Sequence, residues 1–194
     1  MNITRYSGNP LIEPKDVRPS RPDFEVVCVF NAGVTRFQGD VLLLMRVAEK
    51  PISRDPGVVL VPYFDEAAGG IDIKTLDKTL HGLDLKDSRF VIAPGKRWLS
   101  SISHFRIARS TDGIHFTIDE KPAMASANVY EAFGIEDPRI TWLDGRYWIN
   151  YSAISPVTGV TTCLASTTSC RSWPSMPTRK ASPSCPITSQ RTDR

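Results

Sequence analysis

The chain's best candidate for chemistry is an acidic side chain two residues from an arginine, at the start of a strand-like run. In Gly134-Ile-Glu-Asp137-Pro-Arg139-Ile-Thr the Asp137 carboxyl can give or take a proton, and the guanidinium beside it can hold an anion. Arg46, Arg106 and Arg109 also fall in or beside β-rich runs. A guanidinium in such a place is costly to bury unless something anionic meets it. Plainer readings stand next to these: Asp137-Pro-Arg as a turn that starts a strand, and Arg46 as a surface charge at a strand end. His104 and His115 read as hairpin or edge residues rather than bases or metal ligands. None of the four cysteines has metal-site spacing; Cys28 and Cys163 read as buried free thiols within strand-like runs.

The elements that must position these groups repeat. Asp137-Pro-Arg-Ile-Thr-Trp-Leu-Asp-Gly145-Arg-Tyr-Trp148 copies Asp87-Ser-Arg-Phe-Val-Ile-Ala-Pro-Gly95-Lys-Arg-Trp98 at an ungapped offset of 50. A fainter copy, Asn31-Ala-Gly-Val-Thr-Arg-Phe-Gln-Gly39, keeps the same eight-residue step to its glycine. Units of about 50 residues built from short strands around a turn glycine belong to β-propeller blades, so the class is all-β and three blade-like units are expected. Trp98 and Trp148 recur with the unit and read as blade-packing residues. Hairpins are expected around Gln38-Gly39-Asp40 and around Ser110-Thr-Asp-Gly113. Residues 1–23, with four prolines, read as an extended arm.

After Thr168 the pattern stops. Residues 169–194 are rich in Ser, Thr and Pro, lack apolar periodicity and are expected to be disordered. The domain is therefore read as residues 1–168. The break falls inside a blade, which suggests a tail that is foreign or out of frame; reading the encoding DNA in its other frames tests this. The net charge of +3 is concentrated there, with five basic residues against one acid from Ser166 onward. The body is near neutral, which argues against a nucleic-acid partner. No apolar run is long enough to span a membrane, and the N-terminus lacks a signal peptide's apolar core, so the expected address is cytoplasmic.

Phe30-Asn31-Ala-Gly-Val, Leu44-Met-Arg46-Val, Ser110-Thr-Asp-Gly-Ile-His-Phe116 and above all Gly134-Ile-Glu-Asp137-Pro-Arg139 resemble glycoside hydrolase family 130, the β-mannoside phosphorylases and related mannosidases. The opening Ser7-Gly-Asn-Pro-Leu-Ile-Glu-Pro is similar too, and the likeness covers roughly residues 5–168. It implies a five-bladed propeller, of which this chain holds about three blades. The implied reaction is inverting cleavage of a β-mannoside or manno-oligosaccharide by inorganic phosphate, giving mannose 1-phosphate. By the same resemblance Asp137 is the general acid, acting through a sugar hydroxyl, and Asn31 and Arg46 contact sugar. Arg106 and Arg139 would hold phosphate, which is a co-substrate; no metal or cofactor is implied. Inversion needs an acid on one side of the sugar ring and a nucleophile on the other. A hydrolase on the same fold would need a second carboxylate to activate water, and Glu131 and Glu136 are the candidates. An inactive or merely sugar-binding fragment is the remaining alternative, and a homo-oligomer is left open. An unclosed ring would expose strand edges, expected along Val41–Val47 and Tyr147–Tyr151.

Overall fold

The computed structural model describes residues 4–167. The tail expected to be disordered lies outside them. In chain order the strands are β1 (Phe24–Phe37), β2 (Asp40–Pro51), β3 (Val58–Asp65), β4 (Gly70–Asp77), β5 (Phe90–Ala93), β6 (Lys96–Leu99), β7 (Ile102–Ser110), β8 (Thr117–Ile118), β9 (Ile135–Leu143), β10 (Arg146–Ser155) and β11 (Gly159–Thr167). Among the described residues helix is confined to two single 3-10 turns, at Pro14–Asp16 and Val129–Glu131. The chain is all-β.

Three of the hairpins share one design. Phe37 pairs with Asp40, Ala93 with Lys96 and Leu143 with Arg146, so each turn has two residues, the second a glycine. Gln38-Gly39 (φ 53° and 96°) and Asp144-Gly145 (φ 51° and 73°) have both residues left-handed, the turn whose twist matches the flanking strands. In Pro94-Gly95 only the glycine is left-handed, as a proline-first turn requires. Because the turn fixes the register, the copies pair alike: Thr35 with Leu42, Val91 with Trp98, Thr141 with Trp148.

The copies are nevertheless not three equivalent blades in succession. β1, β2, β7 and β8 form one four-stranded sheet and β9, β10 and β11 a three-stranded one, while β3–β4 and β5–β6 are separate two-stranded hairpins. The middle copy lies in an excursion between β2 and β7, which pair directly with each other. Its strands are only four residues long, and its apolar face, Val91 and Trp98, packs on Val61 and Phe133. Trp98 thus packs as expected. Trp148 does not: the alternation of β10 buries Tyr147, Ile149, Tyr151 and Ala153, and the half-buried indole donates to the Leu143 carbonyl at 3.2 Å.

The two larger sheets pack face to face. Leu42, Leu44, Phe105 and Ile107 of one meet Ile135, Ile149, Tyr151 and Ala153 of the other, and each Leu, Ile or Phe side chain among them contributes roughly 1.5–3 kcal/mol on burial. Met45, Val47 and Ala108 point to the opposite face, which Ile12 and Val17 of the N-terminal arm cover. The edges expected along Val41–Val47 and Tyr147–Tyr151 are covered, because β2 and β10 are each paired on both sides. The three-stranded sheet has β9 at one edge and β11 at the other, and β11 carries the exposed Val160 and Leu164. Cys28 is exposed rather than buried, and Cys163 is partly buried, its thiol pushed up by burial and by the Glu131 charge.

Candidate active site

Two matching bulges build the site. In β1 the register with β2 slips between Phe30 and Gly33, and in β9 the register with β10 slips around Asp137 and Pro138. Asn31 and Asp137, each eight residues before its turn glycine, sit in these bulges in the left-handed region, at φ 47° and 53°. Asn and Asp are the non-glycine residues that tolerate this conformation best. An extra residue in a strand re-aims the side chain it carries. Here both side chains are turned toward each other, and Asn31 Nδ2 donates to Asp137 Oδ1 at 2.8 Å.

Such close approach of β9 to its neighbours depends on two glycines. A Cβ on Gly33 would lie 3.0 Å from the Pro138 carbonyl oxygen, and one on Gly134 would lie 2.7 Å from the Ser103 nitrogen. Gly134 (φ 109°) also bridges Ser103 of β7, which brings the Ser103 hydroxyl under the site.

Arg46, from β2, ties the strands together. Its Nη1 donates to Asp137 Oδ1 at 2.9 Å, its Nη2 meets Glu136 Oε1 at 2.5 Å and its Nε donates to Ser103 Oγ at 3.1 Å. The guanidinium also lies over the Phe30 ring, 4.3 Å from the centroid, and its side chain is only 14% exposed. The Asp137 side chain remains 41% exposed, and its Oδ2 accepts no hydrogen bond from the described residues. Burial would lift the Asp137 carboxyl. The hydrogen bonds from Asn31 and Arg46, with the charges of Arg46 and Arg139, outweigh it and hold the group below the ordinary aspartate range. Burial lifts the Glu136 carboxyl above its usual value despite the pull of Arg46, and the neighbouring Asp137 charge adds to the lift.

Of the residues singled out by sequence, Asn31, Arg46 and Asp137 come together. Arg139 is exposed close by; its Nη1 bonds the Pro138 carbonyl at 3.0 Å, and no carboxylate among the described residues pairs with it. Arg106 is not brought to the site. Strand alternation puts Arg46 with its partner Phe105 on one face of the sheet and Arg106 with Met45 on the other. There Arg106 is fully buried and donates to the Arg18 carbonyl at 2.6 Å. Arg109 is used in an ion pair with Asp119. His104 is no edge residue: it is buried beside Glu49 and Arg106, and burial, with the Arg106 charge, presses its imidazole down to about 3. His115 is exposed in the hairpin turn, bonded to Asp112 at 2.7 Å. Glu131 is buried, with Oε1 accepting from the Tyr151 hydroxyl at 2.8 Å and Oε2 from the Ala127 amide at 3.0 Å. Sequence reasoning missed Ser103 and Phe30 as supports of Arg46, and it considered Glu136 only for water activation. Adjacency to Asp137 was the available signal for Glu136; nothing local marks Ser103.

Comparison with known proteins supplies the family. The model for glycoside hydrolase family 130, described as beta-1,4-mannooligosaccharide phosphorylase, matches residues 85–191. The beta-1,2-mannobiose phosphorylase of Listeria innocua serovar 6a is 44% identical over 171 residues, covering 86% of this chain and 48% of its own length. A 1,2-beta-oligomannan phosphorylase of Thermoanaerobacter sp. (strain X514) is 39% identical over 61 residues, 31% of this chain and 21% of its own. The solved structure of the Listeria innocua enzyme with beta-1,2-mannobiose matches with a TM-score of 0.80, over 87% of this chain and 48% of that one. A glycosyl hydrolase from Bacteroides ovatus, at 20% identity and a TM-score of 0.51 over 86% of this chain and 38% of that one, shares the fold alone. This chain therefore spans about half the length of the Listeria innocua relative. The bulge-borne Asp137, its arginine and these matches lead to one assignment: the chain belongs to glycoside hydrolase family 130.

Proposed function

We propose that this chain carries the acid-bearing half of a phosphorylase that cleaves a β-mannoside, β-1,2-mannobiose or a related manno-oligosaccharide, with inorganic phosphate and with inversion. The observation that carries the reading is the Asp137 carboxyl, fixed through Oδ1 by Asn31 and Arg46, with no bond to Oδ2 from the described residues and a side chain 41% exposed. With Oδ1 already accepting two bonds, Oδ2 is the atom that holds the transferable proton. In the reaction a phosphate oxygen attacks the anomeric carbon while the glycosidic C–O bond breaks on the opposite side. The leaving oxygen takes a proton from Oδ2 through a sugar hydroxyl, and mannose 1-phosphate is released.

Arg139 is the cation we assign to phosphate, since no described carboxylate occupies it. Phosphate there also offsets part of the positive charge that holds Asp137 down, so binding of the nucleophile favours the protonated acid. The strands are read as about three units of a five-bladed ring, with the site at its centre and the enzyme at work in the cytoplasm. A hydrolase fits less well. Glu131 spends both oxygens in the core and Glu136 is tied to Arg46, so neither is placed to activate water.

The test uses this chain and, beside it, a chimera in which residues 1–167 replace the matching half of the Listeria innocua relative. Each is incubated with β-1,2-mannobiose, with and without phosphate. Mannose 1-phosphate formed only with phosphate is the expected product from the chimera. Free mannose without phosphate would overturn the reading in favour of hydrolysis, and sugar binding without turnover in both proteins would reduce it to a binding module.

A further inference from the structure

Adjacent residues of a regular strand point to opposite faces, yet Glu136 and Asp137 both reach the same guanidinium. The bulge, with Asp137 at φ 53°, folds them onto one side. Arg46 thus meets two carboxylates on different nitrogens, and Ser103 engages its third donor position. An unopposed guanidinium beside a carboxylate prefers the two-pronged pairing that occupies both oxygens. Here the Nη2 needed for that is already taken by Glu136.

We propose that Glu136 is a positioning residue for Asp137, acting through Arg46: it occupies Nη2, limits Arg46 to a single bond on Oδ1 and so leaves Oδ2 of Asp137 free to carry the proton. The groups facing the pair are Asn31 from β1, Arg46 from β2, Ser103 from β7 and Arg139 from β9 itself. Of these only the two arginines carry charge, and Glu136 is the negative charge set against Arg46 beside Asp137. Which reaction the proton serves rests on the phosphorylase reading; the arrangement of the three side chains does not.

The 194-residue chain, labelled with 13C-aspartate, reports this directly through the Asp137 carboxyl resonance followed against pH, in solution or, if it self-associates, by magic-angle spinning. In Glu136→Gln a neighbouring negative charge is lost and Arg46 is freed toward Asp137, and both changes lower its midpoint, by about one unit. Glu136→Asp keeps the charge but withdraws the carboxylate by one methylene, and gives a smaller shift the same way; it serves if the glutamine variant does not fold. Ser103→Ala frees only Nε and leaves the midpoint in place. An Asp137 midpoint unchanged in both Glu136 variants would overturn the proposal, whatever the chimera turns over. Conversely, a chimera that keeps full turnover as Asp137→Asn would sink the phosphorylase reading and leave the titration result standing.

Discussion

Asp87 and Asp137 occupy the same place in two copies of one sequence unit, eight residues before a turn glycine, and the structure puts them to different uses. Asp87 is closed on itself: its carboxylate takes the Arg89 amide at 2.9 Å and Arg89 Nη2 at 2.7 Å, both from its own turn. These local bonds, with the Arg89 charge, hold its carboxyl down to about 2. Asp137 receives its bonds from Asn31 and Arg46, residues 106 and 91 positions away, and keeps one oxygen open. A carboxylate fully engaged by its own turn has nothing left to do. One held by distant strands through a single oxygen can do chemistry, because its geometry is fixed without using up its proton site. The difference arises from the bulge in β9, which has no counterpart in the four-residue β5.

The hardest test of this contrast is to neutralise each aspartate in turn. In the chimera described above, Asp137→Asn should lower turnover by about 10²–10⁴, the usual worth of a general acid, with sugar affinity largely kept. Asp87→Asn should leave turnover unchanged and move the thermal midpoint little, because its bonds are confined to its own exposed turn. Equal losses in the two variants would erase the distinction. The glycines of the two regions should differ next. A Cβ on Gly134 meets Ser103 backbone at 2.7 Å and 3.0 Å, whereas one on Gly95 meets nothing within 4 Å. Denaturant unfolding should show Gly134→Ala costing about 2–4 kcal/mol, strain and clash together, and Gly95→Ala about 1 kcal/mol from left-handed strain alone.

Arg46→Lys sharpens the comparison further. It keeps a positive charge but cannot reach Glu136, Asp137 and Ser103 at once, so kcat/KM should fall about tenfold, less than with Asp137→Asn. A loss as large as that of Asp137→Asn would make Arg46 the dominant member of the site. The smallest effect concerns the other face of β7. His104 is buried neutral, with a folded value of about 3 against an ordinary 6.5. The unfolded chain therefore binds a proton that the folded chain does not, and stability present above pH 6.5 is lost as pH falls toward 3. Between pH 8 and pH 6 the loss is on the order of 1 kcal/mol, and His104→Gln should flatten it in thermal melts. A slope that survives in His104→Gln belongs to another group.

Several features were legible in the residues because their causes are local. The turn at Gln38-Gly39 and the one at Asp144-Gly145 need left-handed backbone, which glycine permits, and a two-residue turn then dictates the pairing of Thr35 with Leu42 and Thr141 with Trp148. The alternation that buries Tyr147, Ile149 and Tyr151 follows from the period of a strand, although it overturned the packing assigned to Trp148. Cys28 and His104 were misplaced for a related reason, since an apolar run shows that a strand is buried but not which of its residues faces inward.

By itself, then, the sequence determined the all-β class, the hairpins, their register and the types of residue able to do the chemistry, all fixed by interactions within a few residues of a turn. Only the tertiary structure decided that β2 would pair with β7 across an excursion of two hairpins, and that Arg46 and Arg106 would fall on opposite faces of the resulting sheet. It also decided that the bulges of β1 and β9 would meet, bringing Asn31 onto Asp137 and Arg46 onto both Asp137 and Glu136. Those outcomes depend on which apolar faces bury each other, a choice made over the whole chain. That is why two aspartates with the same local signature ended as a surface turn and as a candidate acid.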